Sequence, residues 1–144
     1  MGLMSPMSCT RNLNVQVDGY PKTETLVGRA VSLTYASGHT LEQHWQTAER
    51  IKWKATSGPL EGYEQTENYI AFEIAPGLIL ISWIEESTAA TANGPQRPGP
   101  WLTDVILDFN TQRAMASWTG PTADGGSEHV LDQASMVEIT CDLN

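Results

Sequence analysis

Residues 76–87, PGLILISWIEES, decide the fold class of this chain. The Pro76-Gly77 pair predicts a turn, and the apolar run that follows it predicts a buried strand. The run stops at two adjacent carboxylates, Glu85 and Glu86. Because successive side chains of a strand point to opposite faces, one glutamate faces the interior and the other faces away. A carboxyl on the inner face is costly unless it is hydrogen-bonded or protonated, which makes it a candidate functional group.

Segments on both sides of this strand show a similar alternation of apolar and polar residues. Turn residues separate them at intervals of roughly ten residues, a pattern that indicates a sandwich or a barrel. About eight antiparallel strands can close into an up-and-down barrel that encloses one small ligand and leaves no exposed edge. The sequence therefore predicts an all-β, single, lipocalin-like barrel. Besides the opening strand, the predicted strands are Arg29–Tyr35, Thr40–Gln46, Arg50–Ala55, one within Tyr63–Ile74 that is clearest at Asn68–Ile74, Trp101–Asp108, Arg113–Trp118 and Gln133–Cys141.

The rest of the chain is predicted to form an arm and loops. Residues 1–25 alternate only at Leu13–Val17, so we expect an N-terminal arm before a barrel domain of residues 26–144. Residues 88–100 and 120–127 are rich in turn-forming and small residues and are predicted to be loops. The first of these loops is long enough to lie over one mouth of the barrel.

The charge of the chain limits its partners. A net charge of −9 opposes binding to nucleic acid and to anionic membrane surfaces. No signal peptide is evident, and the longest apolar run, residues 78–84, is too short to span a bilayer. We therefore expect a cytoplasmic protein whose partner is a small-molecule metabolite. The oligomeric state is left open, and a homodimer is one of the states considered.

Few residues suggest metal or cofactor binding. Cys9 and Cys141 lie near the two ends, where they form either a disulfide or, as the low cysteine content favours, two free thiols. His39, His44 and His129 do not have the spacing of a metal site. No phosphate-binding loop or nucleophile elbow is present either. The sequence predicts neither a metal nor another cofactor.

An ordered set of motifs extends over residues 28 to about 110. The set comprises Gly28, LTYASG at 33–38, Glu42, IKW at 51–53, SGPLEGY at 57–63 and PGLILISWIEE at 76–86. In order and spacing it resembles the phenolic acid decarboxylase and MoaF-like barrels, a lipocalin-like (calycin) group. The resemblance implies the same fold. It also implies that Glu85, which follows Ser-Trp-Ile, corresponds to the catalytic acid of the decarboxylases.

Other positions of the decarboxylase site are changed in this chain. Of the tyrosine pair on the first strand, Tyr35 is kept and Leu33 replaces the other member. Leu41 stands where the decarboxylases have a further tyrosine, and Tyr63 stands where they have an arginine. The resemblance therefore retains the acid and one tyrosine. Because this chain lacks the arginine, a carboxylate group on the substrate is less of a requirement than it is for the decarboxylases.

The residues also suggest a site without the resemblance. Glu85 shares a strand face with Ile79, Ile81 and Trp83, and burial would raise its pKa so that it could act as a general acid or base. Solvation of Glu85 at the barrel rim is the alternative. Tyr35 is a second catalytic candidate, either binding a substrate oxygen or assisting Glu85, and core packing is the alternative for it. The predicted substrate-binding residues are Leu33, Leu41, Gln43, Trp45, Trp53, Tyr63 and Trp83.

The functional hypothesis that follows is a cofactor-independent lyase or isomerase of secondary metabolism. It would act on a small apolar or aromatic metabolite by dehydration, double-bond migration, cyclisation or decarboxylation. A second hypothesis is a carrier or sensor that binds a ligand in the same lumen without reaction. A third is an interaction module whose lumen is filled by side chains.

Overall fold

The computed structural model describes residues 19–86 and 99–140. Over these residues the chain forms an antiparallel sheet in which each strand pairs with the next and the last pairs with the first, so that the barrel closes. This arrangement confirms the predicted all-β barrel. The strands are β1 (Ala30–Tyr35), β2 (Thr40–Trp45), β3 (Arg50–Ser57), β4 (Glu64–Ala75), β5 (Leu78–Glu85), β6 (Trp101–Asp108), β7 (Arg113–Pro121) and β8 (Ser127–Ile139).

The inner face of β5 is the one that the alternation predicts. Ile79, Ile81, Trp83 and Glu85 are buried, whereas Glu86, just after the strand, is exposed. The flanking strands follow the same rule, and their inward side chains form one continuous core. The predicted separation of the two adjacent glutamates is therefore confirmed.

The largest difference from the predicted strands lies in β7 and β8. The expected loop at 120–127 is reduced to residues 122–126, because β7 continues to Pro121 and β8 begins at Ser127. The hairpin is extended because the two strands pair without interruption, from Ser117 opposite Leu131 to Pro121 opposite Ser127. Because glycine, threonine and proline occur in this segment, the sequence shows no clear alternation of apolar and polar residues. The backbone hydrogen bonds between the two strands form nevertheless. Residues 99 and 100 are described, whereas the rest of the predicted loop at 88–100 lies outside the described residues.

Residues before β1 pack against one end of the barrel. Backbone hydrogen bonds join Thr23 N to Ala71 O (3.0 Å) and Glu73 N to Pro21 O (3.1 Å), along the edge of β4. Leu26 is fully buried, as is Trp45 at the end of β2. These two side chains fill the end of the barrel at which β1 begins. Cys9, Cys141 and the alternating segment Leu13–Val17 lie outside the described residues.

Within residues 19–86 and 99–140, no helix has the length and apolar character needed to cross a membrane.

Candidate active site

A cavity of about 400 Å³ occupies part of the barrel interior. Its lining includes Ser37 and His39 from the β1–β2 turn, Leu60 from the β3–β4 connection and Glu128 from the start of β8. All these segments lie at the end of the barrel opposite Leu26 and Trp45. Because Glu128 is exposed, the cavity reaches the surface at this end. A volume of this size lies within the range of small-molecule sites.

Aromatic side chains form much of the cavity wall. Tyr35 and Trp118 meet edge to face, with ring centroids 4.9 Å apart and planes at 62°. Trp53, Trp83 and Trp101 also line the cavity. The Trp101 indole packs directly against Gly120 of β7. A side chain at position 120 would overlap the ring, so only glycine leaves room for it. This wall of flat rings suits a planar, largely apolar ligand.

Hydrogen bonds from Trp83 and Thr103 hold Glu85 at the wall. Glu85 is only 5% exposed. The Trp83 indole N–H donates to its Oε1 at 3.1 Å, and the Thr103 hydroxyl donates to the same oxygen at 3.0 Å. Trp83 and Thr103 are opposite each other in the β5–β6 ladder, so the sheet itself aligns both donors. Both donors therefore fix the orientation of the carboxyl on the inner face of the barrel.

Other buried polar atoms of the cavity-lining residues have no hydrogen-bond partner among the described residues. They include the Tyr35 hydroxyl, the Gln43 Oε1 and the His39 Nδ1. Tyr35 is 3% exposed and Gln43 is 1% exposed. Buried polar groups are nearly always paired, so these atoms fit a site that a ligand or water completes.

The protonation of Tyr35 restricts its role. Burial, followed by the negative charges of Asp132 and Glu85, raises the pKa of the Tyr35 phenol well above its usual range. The phenol is therefore neutral over the physiological range and can donate its proton in a hydrogen bond. It is unsuited to act as a base at neutral pH.

Besides Tyr35, the titratable side chains in the described cavity lining are two acids and one histidine. These are Glu85, Glu128 and His39, and the lining residues in the described part of the chain include no lysine or arginine. Tyr63, at the position of the decarboxylase arginine, is buried but is not part of the lining. Residues 19–86 and 99–140 contain no group of three His, Cys, Asp or Glu side chains placed to hold a metal ion. The described lining therefore provides no cationic side chain of the arginine or lysine type for a ligand carboxylate.

The structure brings most of the predicted site residues together. Glu85, Tyr35, Leu41, Gln43, Trp53 and Trp83 all line the cavity. Leu33, Trp45 and Tyr63 are buried but do not line it. The sequence pattern predicts that a side chain points inward, but not whether it lines the cavity or packs in the filled part of the core. This explains why these three residues are buried without lining the cavity. The catalytic and binding roles of all these residues stay predictions.

The sequence reasoning missed several residues of the wall. Trp101, Thr103 and Val105 lie on the inner face of β6, and Trp118 is the corresponding aromatic of β7. The alternation of β6 contained a usable signal, because Trp101, Thr103, Val105 and Leu107 share one strand face. His39 was not predicted to be part of the site, because its proximity to Trp118, with ring centroids 6.3 Å apart, depends on long-range pairing.

Fold and site together define a small calycin-type barrel protein with an aromatic-lined lumen and one clamped, buried carboxyl in its wall. The family model of the MoaF N-terminal domain matches residues 18–123. The chain belongs to this family. The match confirms the MoaF-like part of the resemblance, while the site residues carried over from the decarboxylases stay predictions.

Comparison with other known proteins supports the fold. A crystal structure from Burkholderia vietnamiensis, provisionally described as that of a beta-lactamase, is similar with a TM-score of 0.59 and 16% sequence identity. The similarity covers 85% of this chain and 100% of that chain. No curated protein matches the sequence. At this identity the structural likeness concerns the fold alone.

Proposed function

We propose that the protein is a cofactor-independent lyase or isomerase that binds a small, flat, largely apolar metabolite in the barrel lumen. Glu85 is the group that moves the proton. The observation that carries this proposal is the clamped carboxyl in the cavity wall, with Oε1 held by Trp83 and Thr103. A carboxyl fixed in an apolar cavity is typical of general acid–base catalysis.

The orienting groups are Tyr35 and Gln43. The neutral Tyr35 hydroxyl donates a hydrogen bond to a substrate carbonyl, where negative charge develops when a neighbouring C–H bond is broken. Gln43 Oε1 accepts a hydrogen bond from a substrate hydroxyl. The Glu85 carboxylate takes the carbon-bound proton and returns it at the conjugated carbon in double-bond migration. In dehydration it gives the proton to the departing hydroxyl instead, which leaves as water.

The substrate class follows from the wall of the cavity. Stacked and edge-on contacts with Trp53, Trp83 and Trp118 favour an aromatic or conjugated skeleton. Without a lysine or arginine among the described lining residues, an uncharged substrate fits better than a carboxylate. Phenolic and polyketide-like compounds have this chemistry.

A carrier or sensor that uses the same lumen is the second candidate. The size of the cavity and the buried polar atoms of its lining that have no hydrogen-bond partner among the described residues support ligand binding with or without catalysis. The two functions differ in the role of Glu85. A carrier requires only its hydrogen bonds, whereas an enzyme requires its exchangeable proton.

Filling the cavity is expected to weaken ligand binding. Val105 lines the cavity between Ile81 and Ala116 of the neighbouring strands, so that Val105→Phe places a ring in the ligand space. We expect affinity for the best ligand of a phenolic and polyketide-like panel to fall by about tenfold or more. Tryptophan fluorescence titration measures it. Ile106→Phe, the next residue of the same strand and outside the lining, is the control; unchanged affinity in Val105→Phe would place the ligand elsewhere.

A further inference from the structure

Glu67 is a second buried acid, on the inner face of β4. It is 8% exposed and alternates with Tyr69 and Ala71, which are also buried. It does not line the cavity, whereas Trp53, whose side chain is one of the groups that lower the pKa of Glu67, does. Glu67 therefore lies behind the cavity wall. The role proposed for Glu85 does not account for a carboxyl in this place.

The strand register brings Glu67 towards Glu85. Tyr69 of β4 is directly opposite Trp83 of β5. Because the two strands are antiparallel, the position two residues before Tyr69 and the position two residues after Trp83 are displaced in the same direction along the barrel. Glu67 and Glu85 occupy these two positions, and both side chains are on the inner face. The two buried carboxyls thus stand on adjacent strands at neighbouring positions.

The charges around Glu67 come from both neighbouring strands. Glu85 and Glu86 approach from the side of β5, and Arg50 approaches from β3, where its guanidinium donates to Asn68 Oδ1 at 2.8 Å. Burial is the main cause that raises the pKa of Glu67 to about 7, and the negative charges of Glu85 and Glu86 add to it. Arg50 and the Trp53 side chain act in the opposite direction and lower this pKa.

We propose that Glu67 and Glu85 are a coupled carboxyl pair in which Glu67, as a positioning residue, holds a proton while Glu85 is ionised. This proposal rests on the proposed function of Glu85 as the proton-transfer group. In this state the buried pair carries a single negative charge, which resides on the carboxyl that faces the ligand. Two adjacent buried carboxylates would repel each other, so ionisation of one makes ionisation of the other more costly.

Carbon-13 NMR of protein labelled at the glutamate side-chain carboxyl tests the coupling without any substrate. The resonance that is missing from Glu67→Gln identifies Glu67, and its chemical shift is followed against pH. We expect a midpoint near 7 in the wild type. In Glu85→Gln, which lacks the neighbouring charge, we expect the midpoint to fall by about one unit or more. Glu86→Gln, at the exposed neighbour, is the matched control and is expected to produce a smaller fall.

An unchanged Glu67 midpoint in Glu85→Gln would overturn the pair, as would an ordinary carboxyl midpoint in the wild type. If Glu85→Gln does not fold by circular dichroism, the wild-type Glu85 resonance, assigned with Glu85→Asp, decides the question. Coupling requires an inflection of that resonance at the Glu67 midpoint, and its absence would equally overturn the proposal. Because the titration measures no turnover, its outcome is separate from the success or failure of the proposed enzymatic role.

Discussion

Replacement of Glu85 by glutamine is expected to lower turnover by about 10²–10⁴-fold, the usual contribution of general acid–base catalysis. The amide has nearly the same shape as the carboxyl, and its oxygen can still accept the hydrogen bonds from Trp83 and Thr103. It has no exchangeable carboxyl proton of the required acidity. We therefore expect kcat on a ligand identified in the binding panel to collapse, while the affinity for that ligand changes only slightly.

Glu86→Gln is the matched control for this substitution. It makes the same chemical change at the adjacent residue, which is exposed rather than buried. Turnover of this variant is expected to remain close to that of the wild type. Equal kcat values for Glu85→Gln and the wild type would remove Glu85 from the mechanism, even if both proteins bind the ligand.

Truncation of Trp45 to alanine is expected to lower the free energy of unfolding by about 3–5 kcal/mol. Trp45 is fully buried at the end of the barrel where β1 begins, and its indole packs in the core rather than in the cavity wall. Removal of the ring leaves a void that the closed sheet can fill only in part. Urea unfolding measures the loss. Leu131→Ala, at a side chain that is 68% exposed, is the control and should cost less than about 0.5 kcal/mol.

Trp45→Phe separates packing from ligand contact. It keeps an aromatic ring in the core and removes an indole N–H that has no hydrogen-bond partner among the described residues. Its cost should be well below that of Trp45→Ala, and its affinity for the ligand should equal that of the wild type. Trp53→Phe, within the cavity wall, should weaken binding. A loss of under about 1 kcal/mol in Trp45→Ala, or a loss of affinity in Trp45→Phe, would contradict this division of roles.

The directions of the β5 side chains could be predicted from the sequence, because they depend only on the alternation of inward and outward positions along one strand. Each residue from Leu78 to Glu85 occupies the face that its place in the strand dictates, and the chain places hydrophobic residues at Ile79, Ile81 and Trp83. Burial of Glu85 follows from the same period of two. The sequence therefore predicted both the all-β class and the buried acid.

Other parts of the site depend on contacts between distant strands. Thr103 reaches Glu85 only because β5 and β6 pair in one register, and Tyr35 meets Trp118 only because β8 joins β1 to β7. The same limit applies to Glu67, whose neighbourhood with Glu85 requires the β4–β5 register. Alternation gives the direction of a side chain but not its depth along the barrel. Hence Leu33 and Trp45 were predicted to face inward, as they do, but their distance from the cavity could not be predicted.

Hydrogen–deuterium exchange of a bound ligand tests the central claim, that Glu85 transfers a proton to or from a molecule in the lumen. A panel ligand is incubated in D₂O with wild-type protein, with Glu85→Gln or with buffer alone, and proton NMR follows the loss of its C–H signals. We expect the wild type to exchange a carbon-bound proton at least about a hundredfold faster than buffer, and Glu85→Gln to exchange it at nearly the buffer rate. A ligand that binds both proteins and exchanges at the buffer rate in both would contradict the account and identify the barrel as a carrier.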